Sequence, residues 1–173
     1  GAGAGIPTLA EVLRVVAGRV PLLIEVKDQS GSLGPVDGAL ERATAEALEG
    51  YQGPVALMSF NPHSVAVLAE AAPHLPRGLT TFAFPRSAFP QAKDNPELEA
   101  RRLALAAITD YDRTRSVFIS HRWNDLAQPR VAELKAQGAA ILSWTIRSPE
   151  EEAIARQIAQ NITFEHYAPE LTD

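Results

Sequence analysis

The sequence predicts an α/β fold in which parallel strands alternate with helices. Six short apolar runs have the length of buried strands, and longer segments with helical spacing separate them. Strand and helix then alternate almost without exception, which is typical of parallel strands joined by helical crossovers. The predicted strands are residues 21–27, 55–60, 78–82, 117–121, 140–146 and 161–165.

The predicted helices begin at recognisable start signals. Two capping boxes, Thr8 with Glu11 and Ser148 with Glu151, open the first and last helices. Pro35 is placed to open the second helix, and the third and fourth each begin at an Asn-Pro pair, a cap followed by proline at the first helical position. The helices predicted in this way are residues 9–17, 36–49, 64–72, 97–108, 129–137 and 150–159.

Two architectures fit this alternation, an open doubly wound sheet and a (β/α)8 barrel. A glycine-rich phosphate loop would favour the first, but residues 1–3, Gly-Ala-Gly, do not follow a strand and no other candidate is present. Six strands are too few for a closed barrel of eight. The strand pattern alone therefore leaves both architectures open. Residues 84–95 form the longest predicted loop, a candidate for a lid.

Composition excludes several classes of protein. The 173 residues include 16 Lys and Arg against 21 Asp and Glu, so we expect no basic surface for nucleic acid or anionic membrane. There are no cysteines, which excludes disulfides, zinc–thiolate sites and cysteine nucleophiles. No run approaches the ~20 apolar residues of a membrane span. Residues 1–5 resemble a flexible head rather than a signal peptide, so we predict one domain over residues 6–173 and a cytoplasmic location.

The most informative residues lie in the first predicted strand. Because side chains alternate along a strand, Glu25 and Lys27 share one face, and Ile24 and Val26 share the other. A parallel strand between helices should be apolar on both faces, and these two charges lie near its carboxyl end, where α/β folds bind ligands. The charges are either solvated or paired with each other, or they form a carboxylate for a hard cation beside an ammonium for phosphate.

Other polar and aromatic residues near strand ends are weaker candidates. Ser59 and Asn61 follow the second strand, where such residues are more often helix caps than substrate ligands. His121 is the best placed of the four histidines, yet no spacing selects it for catalysis. Trp144 either belongs to the core or lines a substrate pocket. Glu165 either adds a second carboxylate for a cation or pairs with a basic side chain.

Several segments also carry a family likeness in their order along the chain. Residues 6–9 read Ile-Pro-Thr-Leu, and the strand that follows ends Glu25-Val26-Lys27. Together with the segments below, they resemble the glycerophosphodiester phosphodiesterase family, in which a Pro-Thr-Leu helix start precedes a strand ending Glu-x-Lys. The later matching segments are Ser-Phe-Asn-Pro at 59–62, Pro-His-Leu-Pro-Arg-Gly-Leu at 73–79, Trp-Thr-Ile at 144–146 and Ile-Thr-Phe-Glu at 162–165.

The resemblance implies a TIM (β/α)8 barrel and an activity. Enzymes of this family hydrolyse glycerophosphodiesters to an alcohol and glycerol 3-phosphate, usually with a divalent metal such as Mg²⁺ or Ca²⁺, in lipid and glycerol metabolism. The resemblance implies that Glu25 is a metal ligand, that Lys27 faces the phosphate, and that Trp144 is a wall of the glycerol-side pocket. The implied partner is a small glycerophosphodiester.

Three motifs of the family are missing from this sequence. The His-Arg-Gly, Glu-x-Asp and His-Asp motifs that end its first three strands do not occur, and His121-Arg122 is followed by Trp123. We therefore predict no catalytic residue and expect the chain to hold roughly the last five or six βα units of the barrel. We expect it to be inactive alone and, because such a fragment exposes strand edges, prone to self-association. The alternatives are a non-catalytic phosphate-binding remnant or interaction module that keeps Lys27, and an unrelated α/β enzyme.

Overall fold

The computed structural model describes residues 5–169, so the predicted head lies outside the described residues except for Gly5. The strands are β1 Leu22–Glu25, β2 Val55–Ser59, β3 Arg77–Thr81, β4 Phe118–Arg122, β5 Ala140–Ile146 and β6 Asn161–Phe164. The α-helices are α1 Leu9–Val16, α2 Ala39–Ala47, α3 Pro62–Ala71, α4 Pro96–Ala106, α5 Pro129–Ala136 and α6 Pro149–Ala155. No helix among the described residues is long and apolar enough to cross a membrane.

The alternation of strands and helices is confirmed, and every predicted strand agrees with the structure to within two residues at each end. The predicted start of α2 at Pro35 is wrong. Gly38 precedes the helix with φ of 76°, a left-handed conformation that separates Pro35 from the first helical turn. The predicted loop at 84–95 contains two short 3₁₀ helices, Arg86–Ala88 and Pro90–Asp94.

The two predicted capping boxes differ in outcome. At α1, Thr8 Oγ1 accepts from the Glu11 amide and the Glu11 carboxylate accepts from the Thr8 amide, so the predicted box is confirmed. At α6, Ser148 Oγ accepts from the Glu151 amide, but the Glu151 carboxylate accepts from the Arg147 amide, one residue before the cap. Only half of the second box forms.

The α6 helix ends at Ala155, four residues earlier than predicted. Beyond it the chain tightens into bonds between residues three apart, from the Gln157 amide to Ile154 O and from the Ile158 amide to Ala155 O. This tighter turn replaces the predicted last turn of the helix, and β6 follows soon after it.

The chain divides into two compact units, residues 5–77 and 78–169 among those described. In the first, β1 and β2 pair in parallel and pack with α1–α3 around one buried core. Leu22 and Ile24 pack against that core and Val26 belongs to it, whereas Leu23 is 38% exposed. One face of β1 is therefore covered by helices and the other is more open. The core residues are Leu13, Val26, Ala45, Leu48, Val55, Leu57, Leu68 and Ala72.

In the second unit β3, β4, β5 and β6 pair in parallel, each with the next in the chain. The two faces of β5 differ in burial, because Ile141 and Ser143 are fully buried whereas Leu142 and Trp144 are half-buried. Helices α5 and α6 both contact β5. The Leu142 and Trp144 side is thus the more open face of this part of the sheet.

Gly78 marks a close approach between β3 and β4. It pairs with Phe118, and a Cβ atom at position 78 would overlap the Phe118 ring and lie 2.5 Å from the Phe118 carbonyl oxygen. We expect Gly78→Ala to lower the free energy of unfolding by roughly 2–3 kcal/mol, because the main chain of β4 cannot yield without breaking the ladder. Urea unfolding followed by tryptophan fluorescence tests this, and a loss under about 0.5 kcal/mol would contradict it.

Candidate functional site

The charged residues at the carboxyl end of β1 meet. Lys27 Nζ donates to Glu25 Oε1 at 2.7 Å. The Lys27 side chain is 70% exposed and that of Glu25 21%, and Glu25 lies on the face of β1 opposite the helix-covered Ile24 and Val26. Alternation along the strand correctly predicts that the two charges are close, and of the sequence-based alternatives the structure shows their pairing with each other. The Lys27 side chain remains largely exposed, and its ammonium can donate to a further anionic oxygen.

Asp28, directly after this pair, organises the loop that follows. Its carboxylate accepts from the Leu33 amide at 3.1 Å, from Asn61 Nδ2 at 3.0 Å and from Ser30 Oγ at 3.1 Å. Partial burial alone would raise the pKa of Asp28, but the hydrogen bonds from Leu33, Asn61 and Ser30 together outweigh it and hold the pKa below its ordinary value. Sequence reasoning missed this residue, because Asn61 is 33 positions away and no local pattern links the two.

Ser59 and Asn61 have structural roles, as their cap-like setting predicts. Ser59 Oγ donates to Val26 O at 2.6 Å and accepts from the Asn61 amide at 3.1 Å. Asn61 Oδ1 accepts from the His63 amide at the start of α3. Both side chains are fully buried, and their hydrogen bonds join β1, β2 and α3 rather than face a ligand.

The residues around Glu25 do not by themselves fit a divalent cation. Mg²⁺ takes six oxygen ligands and Ca²⁺ six to eight, whereas Glu25 offers one carboxylate, of which one oxygen already accepts from Lys27. Among residues 5–169 there is no group of three or more Asp, Glu or His that could hold a metal ion.

Trp144 lies in the second unit, on the half-buried face of β5. Its Nε1 donates to Ser120 O at 2.9 Å, and its ring meets that of Phe82 edge-on with centroids 6.4 Å apart. Phe82 in turn packs against Phe84, with centroids 3.9 Å apart, and Phe84 against Phe89. The indole is thus one wall of an aromatic cluster, with one side at the more open face of the sheet.

His121 is buried in the core of the second unit. It is fully buried, its Nδ1 lies 2.8 Å from Thr81 Oγ1, and its carbonyl accepts from Ser143 Oγ. Burial lowers the pKa of His121 to about 4, and the Asp125 carboxylate and backbone only partly offset that effect. Because the imidazole is fully buried in this structure, no ligand reaches it, and His121 is a core residue.

Glu165 follows β6 and forms an ion pair. Its Oε1 accepts from Arg147 Nε at 2.7 Å, so the pairing interpretation of this carboxylate holds in the structure. Of the residues predicted from sequence, the structure therefore brings Glu25 and Lys27 together, and finds Trp144 at an open sheet face in the other unit.

Several solved structures have a similar fold over part of their length. An Oleispira antarctica phosphodiesterase in complex with the product sn-glycerol-3-phosphate has 18% identity and a TM-score of 0.64, over 91% of this chain and 57% of its own. A glycerophosphodiester phosphodiesterase from Parabacteroides distasonis has 14% identity and a TM-score of 0.62, over 91% and 59%. The glycerophosphodiester phosphodiesterase from Thermotoga maritima has 15% identity and a TM-score of 0.59, over 91% of this chain and 59% of its own. The chain thus has an α/β barrel-like fold and spans under two thirds of these relatives.

The solved structures show the fold, and comparison with models of protein families identifies the family. A comparison with the curated proteins found no match. In contrast, the model of the Glycerophosphoryl diester phosphodiesterase family matches residues 2–163, nearly the whole chain. The match includes both units, with the Glu25–Lys27 pair in one and Trp144 in the other. The chain belongs to the glycerophosphoryl diester phosphodiesterase family.

Proposed function

We propose that this chain supplies part of the barrel of an enzyme that hydrolyses glycerophosphodiesters to an alcohol and glycerol 3-phosphate. The observation that carries the proposal is the Glu25–Lys27 pair, at the carboxyl end of β1 and on the face away from the helices. Ligand sites of parallel α/β folds lie beyond that end of the strands. Family membership makes a phosphodiester the ligand to test.

Each of the three residues has a proposed role. Lys27, with its exposed ammonium, donates to a phosphate oxygen, a charge-assisted bond that a neutral group cannot replace. Glu25 positions that ammonium through the 2.7 Å bond to Nζ. The metal-ligand role that the resemblance implies for Glu25 needs further oxygens, which the described residues do not provide. Trp144 offers a flat apolar wall to the glycerol side of the substrate.

We further propose that the chain alone is inactive, as the last five or six βα units of the barrel. The family resemblance implies two histidines as general acid and base, and the motifs that would carry them do not occur in this sequence. His121, the best placed of the four histidines by sequence, is fully buried, and burial lowers its pKa to about 4. A second candidate function, a non-catalytic phosphate-binding module, is favoured by the exposed Lys27 side chain together with the missing histidine motifs.

Turnover of glycerophosphocholine tests whether the chain alone is inactive. With Mg²⁺ or Ca²⁺ added, we expect the chain to release no glycerol 3-phosphate above the buffer rate, because the motifs that carry the two histidines do not occur in its sequence. The Thermotoga maritima glycerophosphodiester phosphodiesterase is the positive control. Release by this chain that depends on Lys27 would show that the two missing histidines are not essential.

Phosphate binding tests the role of Lys27 without catalysis. We expect Lys27→Ala to weaken glycerol 3-phosphate binding by at least about fivefold, the loss of one charge-assisted hydrogen bond, as measured by NMR titration. Lys93→Ala, which removes another exposed lysine, is the matched control and should leave affinity unchanged. Equal affinity in both variants would remove Lys27 from the site.

Metal binding by the chain should be weak. A single carboxylate that is already paired with an ammonium cannot replace the water around Mg²⁺ or Ca²⁺. We expect no binding tighter than about 1 mM in calorimetric titrations of either ion. Tighter binding that Glu25→Gln abolishes would show that Glu25 belongs to a complete metal site in this chain.

A further inference from the structure

Two buried hydroxyl groups in the second unit have no hydrogen-bond partner among the described residues. They are Thr80 Oγ1 and Ser120 Oγ, and the two residues are 2% and 0% exposed. Thr80 and Ser120 pair directly across β3 and β4, so their side chains lie next to each other on the same face of the sheet. A buried hydroxyl without a partner is costly and uncommon, and two adjacent ones require an explanation.

The same face carries the aromatic pair Phe82 and Trp144. Phe82 lies two residues after Thr80, and Trp144 two residues after Leu142, the register partner of Ser120. The indole Nε1 donates to Ser120 O at 2.9 Å, which holds the ring against this part of β4. Both rings are half-buried, so they form a partly accessible layer next to two inaccessible hydroxyls.

On the opposite face of the same strands the hydroxyl groups are hydrogen-bonded, although His121 Nε2 there also has no partner among the described residues. Thr81 Oγ1 contacts His121 Nδ1 at 2.8 Å, and Ser143 Oγ donates to His121 O at 2.9 Å. Hydroxyls one register position away are therefore paired within the protein. Valine at 80 would fill the same space, and alanine at 120 all but that of one oxygen atom, without burying an unpaired oxygen, so packing alone does not account for the two hydroxyls.

We propose that Thr80 and Ser120 form the polar floor of a polyol-binding subsite that the Trp144 indole covers in this structure. The identity of the polyol as a glycerol group rests on the proposed function. Each hydroxyl can both donate to and accept from a ligand hydroxyl, and the faces of Trp144 and Phe82 suit the carbon side of a polyol. The ligand reaches Thr80 and Ser120 when the indole turns away from Ser120 O. This movement breaks the hydrogen bond from Trp144 Nε1 and allows two new ones, from the ligand to Thr80 Oγ1 and to Ser120 Oγ.

Unfolding experiments test whether the hydroxyls lack a partner inside the protein. Thr80→Val and Ser120→Ala should leave the urea midpoint unchanged or raise it, because each removes an unpaired buried oxygen. Ser143→Ala is the matched control and should lower the midpoint, since that hydroxyl donates to His121 O. A midpoint for Ser120→Ala as low as that for Ser143→Ala overturns the proposal.

Fluorescence titration tests the subsite itself. Trp123→Phe leaves Trp144 as the only tryptophan, and glycerol added to this chain should change its emission in a saturable way. Thr80→Val and Ser120→Ala in that background should weaken glycerol binding by about fivefold each, the loss of one hydrogen bond. No saturable change with glycerol, the same change with 1-propanol, or unaltered affinity in both variants overturns the proposal.

Glycerol carries no phosphate, so this test is independent of Lys27. Lys27→Ala in the Trp123→Phe background should leave glycerol affinity unchanged while it weakens glycerol 3-phosphate binding. A chain that binds glycerol but not its phosphate through Lys27 supports the subsite and contradicts the proposed function. The reverse result supports the proposed function and removes the subsite.

Discussion

Replacing Asn61 with alanine should lower the free energy of unfolding of the first unit by about 3 kcal/mol. The fully buried amide makes three bonds: Nδ2 donates to Asp28 Oδ1 and to Gly34 O, and Oδ1 accepts from the His63 amide. Alanine removes the cap of α3, and Asp28 Oδ1 and Gly34 O each lose a hydrogen-bond donor. Because the same change releases the loop after Lys27, we also expect weaker binding of glycerol 3-phosphate.

Asn95→Ala is the matched control for this change. Asn95 caps α4 through two backbone amides, but it is exposed, so its loss should cost only about 1 kcal/mol. Urea unfolding followed by circular dichroism compares the two variants. Equal losses would show that the bonds of Asn61 to Asp28 and Gly34 contribute nothing beyond the cap.

Asn61→Asp separates the cap from the link to Asp28. The aspartate keeps an acceptor for the His63 amide but places a second carboxylate about 3.0 Å from Asp28. At pH 7 the two charges repel, so this variant should be about as unstable as Asn61→Ala, and it should recover stability as the pH falls and one carboxyl takes up a proton. A stability that does not depend on pH would contradict the contact with Asp28.

His121 should make the second unit sensitive to acid. Its pKa falls from 6.5 in the unfolded chain to about 4 in the folded one, so the unfolded state binds the proton more readily. The contribution to stability is complete above pH 6.5 and is lost progressively as the pH falls from 6.5 through 4. The full loss is about 3 kcal/mol, since one unit of pKa corresponds to 1.36 kcal/mol.

The measurement compares wild type with His121→Gln at pH 7 and pH 4.5. Glutamine keeps a polar contact for Thr81 but does not titrate in this range, so the variant should lose markedly less stability on acidification. Both tryptophans, Trp123 and Trp144, lie in the second unit, and their fluorescence follows its unfolding in urea. An equal loss in both proteins would assign the acid sensitivity to other groups.

Local patterns in the sequence were sufficient for the elements and for one feature of the site. The apolar runs predict all six strands because a buried strand is a short local signal, and Thr8 with Glu11 predicts the start of α1 for the same reason. The proximity of Glu25 and Lys27 follows from the two-residue period of a strand, whatever the rest of the fold does. The start of α2 could not be predicted in this way. Gly38, in a left-handed conformation, immediately precedes the helix, whereas Pro35 lies outside it.

The sequence by itself therefore determined the order of strands and helices, the likeness to the family, and the position of an acidic and a basic side chain at one strand end. Only the tertiary structure decided which polar groups find partners. Asp28 meets Asn61 across 33 residues, His121 is enclosed and neutral, and Thr80 and Ser120 are buried without hydrogen bonds. Periodicity is a property of neighbouring residues, whereas burial and hydrogen bonding depend on strands and helices that are distant in sequence and meet only in the folded chain.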